Sequence, residues 1–287
     1  MEPKPGHATG RPVRTEDAKA AGRQRRPSEP AQLALFCQRW RDGRTSYRPA
    51  GEPFDPSRLA VEPIDEAEAK RYIKKNHYSG TYPAARFRGG VFIKEPFAKA
   101  RLAGVGVFGV PMTQAVIPAY FPDLAPAQGV DFSRFALDQD LPGNTESWVI
   151  SRLYRLLREA LPQVRAVLAY SDPVERRNEL GDLVKRGHIG TIYQATNAEF
   201  RGRSSPRTLW LAPSGICLSE RLLSKVRLCE TGERYALERL AALGARRRHL
   251  GEDGAAYIAS LKNDGWLRAV RHPGNLAYTW RLKPGSR

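Results

Sequence analysis

The stretch LPGNTESWVISRLYRLLREALPQVRAVLAYSD, residues 141–172, predicts a loop, a helix and a strand in succession. Its proline and glycine end the preceding element, and Asn144 and Thr145 are residue types that cap helix N-termini. Residues 146–161 then carry apolar side chains at helical spacing, and the apolar run at 166–172 predicts a buried strand. We expect this strand to run parallel to the one before the helix, because the helix is long enough to cross over the sheet.

The sequence on either side of this stretch predicts a mixed α/β sheet. Upstream we expect a strand at 59–64, a helix at 65–78 and three further strands, the last of them at 131–140. Downstream we expect a short helix at 178–187 and a strand at 191–200. This order gives a sheet with an antiparallel front half and a parallel join after the central helix.

Composition divides the chain into four segments. Residues 1–33 are rich in Pro, Gly, Ala, Arg and Lys and poor in large apolar residues, which is typical of a disordered tail. Residues 34–58 predict a linker that includes a short helix in LALFCQRW, residues 33–40. The mixed sheet is expected over 59–203, and 204–287 predicts a basic, mainly helical region that completes the domain and contacts DNA.

The net charge of +17 is unevenly distributed along the chain. Residues 59–200 contain 18 Lys and Arg against 16 Asp and Glu, whereas residues 201–287 contain 17 against 7. A concentrated positive charge is the electrostatic signature of a polyanion partner, and double-stranded DNA is the simplest one. The alternative is a solvated basic surface with no partner.

Cysteine usage and hydropathy exclude several classes of protein. The 3 cysteines have no CxxC spacing, so neither a disulfide framework nor a cysteine-type zinc site is indicated, and a cytoplasmic location is expected. No apolar run is long enough to cross a membrane, and the N-terminus has no apolar segment typical of a secretory signal.

A phosphate site is one interpretation of the loop that precedes the central helix. The first N–H groups of a helix lack partners within it, and the helix dipole is positive there, so anions bind at such a position. An ordinary N-cap has the same residue types. The candidate ligands for a phosphorylated donor are Gly143, Asn144, Thr145, Glu146 and Ser147.

Five other residues are candidates for chemistry. Asp172 ends its strand at the edge where α/β sheets hold ligands, although an Asp-Pro turn alone also explains it. His77 and Tyr78 end the first predicted helix, where a histidine often only interacts with the dipole. Tyr193 is equally acceptable as a core residue. Arg134 alternates with phenylalanines in a strand and therefore needs an anionic partner.

The motif order NHYSG, FSRF, LPGNTES, YSDP and GHIGTIYQATN resembles the Mom family of phage DNA-modification proteins, a divergent branch of the GNAT N-acyltransferase superfamily. The resemblance covers about residues 59–203 and is most specific in YSDP followed by GHIGTIYQATN. One departure is the segment VERRNELGDLVKR, residues 174–186, which separates these two motifs. The resemblance implies a GNAT-like fold.

The family resemblance also implies an activity. Members add a carbamoylmethyl group to adenine N6 in DNA and so protect phage DNA from restriction. The family's functional positions carry over to His77, Tyr78, Arg134, Asp172 and Tyr193. The resemblance implies a bound iron, for which His77, Tyr78, Asp172 and Tyr193 are plausible ligands. It further implies that the loop before the central helix binds acetyl-CoA or a related acyl donor. We expect neighbouring strands to bring Asp172 and Tyr193 to one splayed edge of the sheet.

The DNA contacts are expected in the C-terminal region. Phosphate contacts need exposed Lys or Arg, and an extruded base needs an aromatic group nearby. The turn HPGN, residues 272–275, predicts a protruding loop between strands. The candidate DNA-binding residues are Arg201, Arg203, Arg207, Arg246, Arg247, Arg248, Arg268, Arg271 and His272.

Two other functions remain open on the sequence. A GNAT enzyme that acetylates an amine of a protein or small molecule needs only the sheet and the loop before the central helix. A DNA-binding protein with an inactive GNAT-like core needs only the basic C-terminal region. Fold alone does not decide among these three functions.

Overall fold

A computed structural model describes residues 36–41, 44–49 and 51–283, so the predicted tail at 1–33 lies outside the described residues. The strands are β1 Phe36–Arg41, β2 Arg44–Pro49, β3 Leu59–Pro63, β4 Ala85–Ile93, β5 Arg101–Gly109, β6 Gly129–Leu137, β7 Ala166–Ser171, β8 Arg176–Arg177, β9 Leu183–Lys185, β10 Glu199–Arg203, β11 Arg207–Leu211, β12 Cys217–Leu218, β13 Arg268–His272 and β14 Leu276–Arg281. The α-helices are α1 Glu66–Asn76, α2 Val116–Tyr120, α3 Thr145–Ala160, α4 Thr191–Ala195, α5 Glu220–Arg227, α6 Glu233–Ala242 and α7 Gly254–Asn263.

The main sheet has 7 strands in the order β10-β14-β7-β6-β5-β4-β3. All neighbouring pairs are antiparallel except β6 and β7, which are parallel. This parallel pair is joined by α3, and its register covers only Gly129–Asp131 against Ala166–Leu168. Beyond that point the two strands separate and leave a fork in the sheet. The predicted mixed α/β sheet, with its parallel join after the central helix, is confirmed.

Helix α3 packs on one face of the sheet at very short range. Leu153 is fully buried in the main core, and Gly89 and Gly106 lie directly beneath it. A Cβ at either glycine would come within 2.4 Å of a Leu153 methyl group, so both strands need glycine at this contact. Helix α1 covers the opposite face, where its Ile73 packs near Val105 and Val107 of β5.

The C-terminal region forms its own small core and also completes the main sheet. Strands β12, β11 and β13 make a separate 3-stranded sheet, and helices α5, α6 and α7 bury apolar residues in a second core. Strand β14 then pairs with both β7 and β10 in the main sheet. The residues after 203 therefore contribute a strand to the main sheet as well as a core of their own. No helix among the described residues is long and apolar enough to cross a membrane.

Three predicted elements are wrong. Where it is described, LALFCQRW is strand β1, which pairs with β2, and not a helix. The predicted helix at 178–187 is instead the β8–β9 hairpin, because Gly181 adopts φ 87° and Asn178 bonds across the turn to Asp182. The predicted strand at 191–200 begins as helix α4 and becomes strand β10 only at Glu199.

Candidate active site

Asp172 follows directly after β7, at the open end of the fork, and nitrogen donors contact both of its carboxylate oxygens. Oδ1 lies 2.9 Å from His272 Nε2 and accepts the Val174 N–H at 3.1 Å. Oδ2 lies 3.1 Å from Lys185 Nζ and 3.7 Å from Arg176. Burial alone would raise the pKa of Asp172, but the charge of Lys185 and the hydrogen bonds outweigh it and lower that pKa. Asp172 is therefore ionised and is held in place by these donors.

Lys185 comes from the hairpin that sequence reasoning expected to be a helix. Its side chain is 4% exposed, and its ammonium group also donates to the backbone oxygens of Asp172 and Val174. Burial lowers the pKa of Lys185, and the contact with Asp172 opposes that shift. The inserted segment 174–186 thus supplies the cation that neutralises Asp172. No sequence spacing linked these two residues.

His272 was predicted to contact DNA, and that prediction is wrong. The residue is 1% exposed and lies at the end of β13. Its Nδ1 accepts the Gly274 N–H at 3.0 Å, which leaves the ring proton on Nε2 to be donated to Asp172. The loop 273–275 is held by Ser204, whose N–H donates to Asn275 O at 2.8 Å and whose hydroxyl accepts the Asn275 N–H at 2.9 Å. His272 positions Asp172.

His77 and Tyr78 lie side by side where α1 ends. Their ring centroids are 4.3 Å apart, and Lys185 Nζ lies 5.6 Å from the centroid of the Tyr78 ring. His77 Nδ1 accepts the Ser79 N–H at 3.1 Å. Burial, together with the nearby charge of Arg134, lowers the pKa of His77 to about 3, so the ring is neutral. Burial raises the pKa of Tyr78.

His188 joins this group through its ring contact with Tyr78, at a centroid distance of 6.2 Å. Burial lowers the pKa of His188 to about 4. Its Nε2 is buried and has no hydrogen-bond partner among the described residues. An unpaired buried imidazole nitrogen is costly unless a ligand supplies the partner. His188 is therefore a candidate to bind a ligand through Nε2.

Arg134 is held by backbone and hydroxyl groups near the end of α1. It donates to Thr81 O at 3.1 Å, to Thr81 Oγ1 at 2.8 Å and to Ser133 O at 2.6 Å. A β-bulge at Ser133 displaces the register between β5 and β6, and such bulges often redirect side chains beside active sites. Burial lowers the pKa of Arg134. No carboxylate pairs with Arg134 in the described part of the chain, which leaves this cation available to an anionic group.

Tyr193 lies on α4, and its ring is packed in the aromatic core. Its ring centroid is 5.4 Å from that of Tyr278, 5.5 Å from that of Trp280 and 6.4 Å from that of Phe132. Burial raises the pKa of Tyr193 strongly, so its hydroxyl remains protonated. Tyr193 therefore contacts residues of β6 and β14. The expected link between Asp172 and Tyr193 through neighbouring strands is wrong, because Tyr193 lies on a helix and not on a strand.

The loop before α3 already binds a carboxylate. The Gly143 N–H donates to Glu52 Oε2 at 2.8 Å, and Arg48 holds the same carboxylate. Asn144 is the N-cap residue, and it is left-handed at φ 70°. The Gly143 N–H therefore already has an anionic partner within the chain, and phosphate binding by residues 143–147 stays a prediction.

The side chains of the first turn of α3 are less suited to a phosphate. Glu146 is buried and forms an ion pair with Arg39, and the Thr145 hydroxyl donates to Pro142 O. The Ser147 hydroxyl donates to Asn144 O at 3.2 Å. Backbone N–H groups are therefore better placed than these side chains to hold a donor phosphate.

The predicted iron ligands do not fit a metal centre as they are arranged. Asp172 already contacts two cationic side chains, and the rings of His77 and Tyr78 pack against each other at an angle of 30°. Within the described ranges, no group of three or more His, Cys, Asp or Glu side chains could hold an ion.

The predicted DNA-binding arginines fall into two groups. Arg246 makes a two-point contact with Glu252 and also bonds Ser260, while Arg248 pairs with Glu233 at 2.7 Å. These contacts tie the segment after α6 to neighbouring helices. The other group is exposed around the edge formed by β10, β11 and β13, and it comprises Arg201, Arg203, Arg207, Arg268 and Arg271.

The seven-stranded mixed sheet therefore has a parallel fork with a polar cluster at its open end. A model of the Mom protein family matches residues 58–253. The chain belongs to the Mom protein family, as the motifs predicted. The matched region ends before His272.

Other comparisons add only distant similarity. The chain is similar to a solved tandem GNAT protein from the clavulanic acid biosynthesis pathway (without AcCoA), with 10% identity over 79% of this chain and 100% of that chain, at a TM-score of 0.38. It is also similar to malonyl-CoA decarboxylase from Agrobacterium vitis, with 13% identity over 80% of this chain and 62% of that chain, at a TM-score of 0.32. TM-scores this low do not establish a common fold. No curated protein matches by sequence.

Proposed function

We propose that this protein is a transferase that adds a small acyl-derived group, of carbamoylmethyl type, to N6 of adenine in double-stranded DNA. Membership of the Mom family supports this function, and so does the polar cluster at the open end of the β6–β7 fork. The observation that carries the proposal is that Lys185 and His188, which lie close together in the sequence, both contact Tyr78 from a distant part of the chain, beside Asp172. The product would shield the DNA from restriction.

The target nitrogen dictates what the site must supply. The lone pair of adenine N6 is delocalised into the ring, so the amine is a weak nucleophile and needs a proton acceptor. The base must also leave the helical stack before it can reach the site. Tyr78 is 36% exposed and its ring lies beside that of His77, which suits an aromatic surface for an extruded base. The unpaired Nε2 of His188 suits a hydrogen bond to the edge of that base.

The donor is proposed to be an acyl-CoA or a related acyl thioester. Its phosphates would take the place of the Glu52 carboxylate at the Gly143 N–H, because the first turn of α3 favours an anion there. Arg134 would hold an anionic or strongly polarised oxygen of the transferred group. Tyr193 would place its protonated hydroxyl beside the transferred carbon.

The proposal is tested with purified protein, an acyl-CoA donor and a set of competing amine acceptors. Adenine-containing duplex DNA is compared with the same duplex in which every adenine is replaced by purine, and with lysine-rich peptides. We expect covalent labelling of the adenine duplex alone. Labelling of the peptide but not of the DNA would show the alternative acetyltransferase function. Salt-sensitive DNA binding without any label would show the non-catalytic alternative.

A further inference from the structure

Asp131 is a half-buried carboxylate at the fork of the sheet, and no sequence motif selected it. It is the last residue of β6 that is paired with β7, opposite Leu168, and the two strands separate after it. The bulge at Ser133 follows within two residues. Asp131 therefore sits at the root of the cleft whose open end carries Asp172.

The charged and titratable groups that act on Asp131 come from each element packed around it. Arg134 contributes from the same strand, Tyr170 from β7 and Tyr193 from α4. Two of the three, Arg134 and Tyr193, are candidate site residues. Asp131 thus belongs to the same polar cluster as the residues that the family motifs indicated.

Asp172 and Asp131 differ in how many donors surround their carboxylate oxygens. Asp172 has a lysine, a histidine, an arginine and a backbone N–H around its oxygens. For Asp131, the one hydrogen-bond partner among the described residues is the Ser133 hydroxyl, which donates to Oδ2 at 3.0 Å. An anion with so many donors is a poor proton acceptor, whereas a carboxylate with one neutral donor is a good one.

Burial also makes Asp131 a better proton acceptor than Asp172. It raises the pKa of Asp131 to about 6, and the Ser133 hydrogen bond and the charge of Arg134 oppose this rise only in part. A base works best when its pKa lies near the pH at which the enzyme operates, because it is then both ionised and basic enough. Asp172, with its lowered pKa, does not meet that requirement.

We propose that Asp131 is the general base of the transfer reaction, an inference that rests on the proposed function. The acceptor nitrogen attacks the donor carbon that carries the sulfur, which is the methylene carbon of a carbamoylmethyl thioether or the carbonyl carbon of an acyl thioester. The N–C bond forms and one N–H proton passes to the Asp131 carboxylate. The C–S bond breaks and its electron pair leaves on sulfur. The thiolate then takes the proton from Asp131 and leaves as the thiol, so the carboxylate is regenerated.

The test compares Asp131→Asn and Asp131→Glu with Asp140→Asn, an exposed aspartate beyond the other end of β6. Single-turnover transfer rates are measured between pH 5 and pH 8. For the wild type and Asp140→Asn we expect the rate to rise with pH and level off above about pH 6. Asp131→Asn should lose roughly 10²- to 10⁴-fold in rate, the usual contribution of a general base, with unchanged DNA affinity. Asp131→Glu should restore part of the rate with a displaced pH limb.

Transfer by Asp131→Asn at a rate within about threefold of the wild type, or with the same pH limb, would overturn the proposal. A second readout needs neither donor nor acceptor: the ¹³C carboxyl titration of the wild type minus that of Asp131→Asn. A carboxyl that titrates near pH 6 supports the assignment, and one that titrates at the ordinary value for aspartate refutes it. If the wild type modifies a peptide amine and not adenine, the proposed function fails, but the same variants still decide the role of Asp131 on that acceptor.

Discussion

His272 Nε2 lies 2.9 Å from Asp172 Oδ1, although the two residues are 100 positions apart in the sequence. The two residues meet because β14, which follows shortly after His272, pairs with β7 up to Ser171, the residue before Asp172. The last part of the chain is therefore needed to shape the site. It also lies outside the region matched by the family model.

Removing Asp172 should damage the fold as well as the chemistry. Asp172→Ala leaves the buried Lys185 without its anion, and removing one partner of a buried pair typically costs about 3–5 kcal/mol. We expect chemical denaturation to show a loss of this order. The control is Glu175→Ala, since Glu175 pairs with Arg177 on the exposed surface of the same segment. Equal stability of the two variants would show that the Asp172 cluster does not hold the site together.

Substitutions of Tyr193 can separate its role in core packing from its role in the reaction. Tyr193→Phe keeps the ring against Tyr278 and Trp280 and removes only the hydroxyl, so we expect little change in melting temperature. Transfer should nevertheless fall sharply while DNA binding is retained. Tyr193→Ala should instead cost about 3–5 kcal/mol, as for other buried aromatic truncations. Full transfer activity in Tyr193→Phe would assign the residue to the core alone.

The helices predicted correctly are those whose caps and apolar spacing can be recognised within their own segment of sequence. Helix α1 has Asp65 as its N-cap and acids in its first turn, and α3 has a long apolar period, so both were predictable to within a few residues. Helix α4 was not, because its 5 residues are too few to show a helical period and include β-branched side chains. Its start depends on Gly190 at φ 76°, packed against Tyr278 from the far end of the chain.

The candidate site was predictable only in part for a related reason. Motif positions identified His77, Tyr78, Arg134, Asp172 and Tyr193, and the structure places all five around the fork of the main sheet. Lys185 was missed, and His272 was wrongly assigned to DNA. Their roles depend on the β8–β9 hairpin and on the position of β14 between β7 and β10, which no local pattern predicts. Asp131 precedes Arg134 by three residues, and only its burial distinguishes it from an ordinary strand aspartate.

Stability should fall as the pH drops from about 6.5 to 4.5. The pKa values of His77 and His188 are lowered to about 3 and about 4, so both rings take up protons on unfolding in this range. Asp131 has the opposite effect on stability. Its pKa is raised to about 6 in the folded state, so as the pH falls the folded protein binds this proton before the unfolded chain does. The net uptake of about one proton gives a slope of about 1 kcal/mol per pH unit.

Asp131→Asn removes the opposing group, so it should roughly double that slope and raise stability most at neutral pH. Urea unfolding at a series of pH values measures both effects. Parallel curves for the wild type and Asp131→Asn would contradict the raised pKa of Asp131.

The exposed arginines around the loop 273–275 should account for DNA affinity. Arg203 bonds Gly274 O and Arg207 bonds Asn275, so both lie beside the loop that follows His272, and Arg271 precedes it. Replacing these three with alanine should flatten the dependence of log K on log salt by about 0.9 for each lost phosphate contact. The matched control replaces three exposed arginines elsewhere, namely Arg155, Arg221 and Arg234. An equal change in both triple variants would mean that the effect is one of net charge alone.

The most direct test of the account is mass spectrometry of nucleosides from the DNA of cells that express the protein. We expect an adenosine adduct in cells that express the wild type or Asp140→Asn, and a greatly reduced adduct with Asp131→Asn or Tyr193→Phe at equal protein levels. DNA without any adduct, from cells that contain folded wild-type protein, would contradict the proposed modification of adenine.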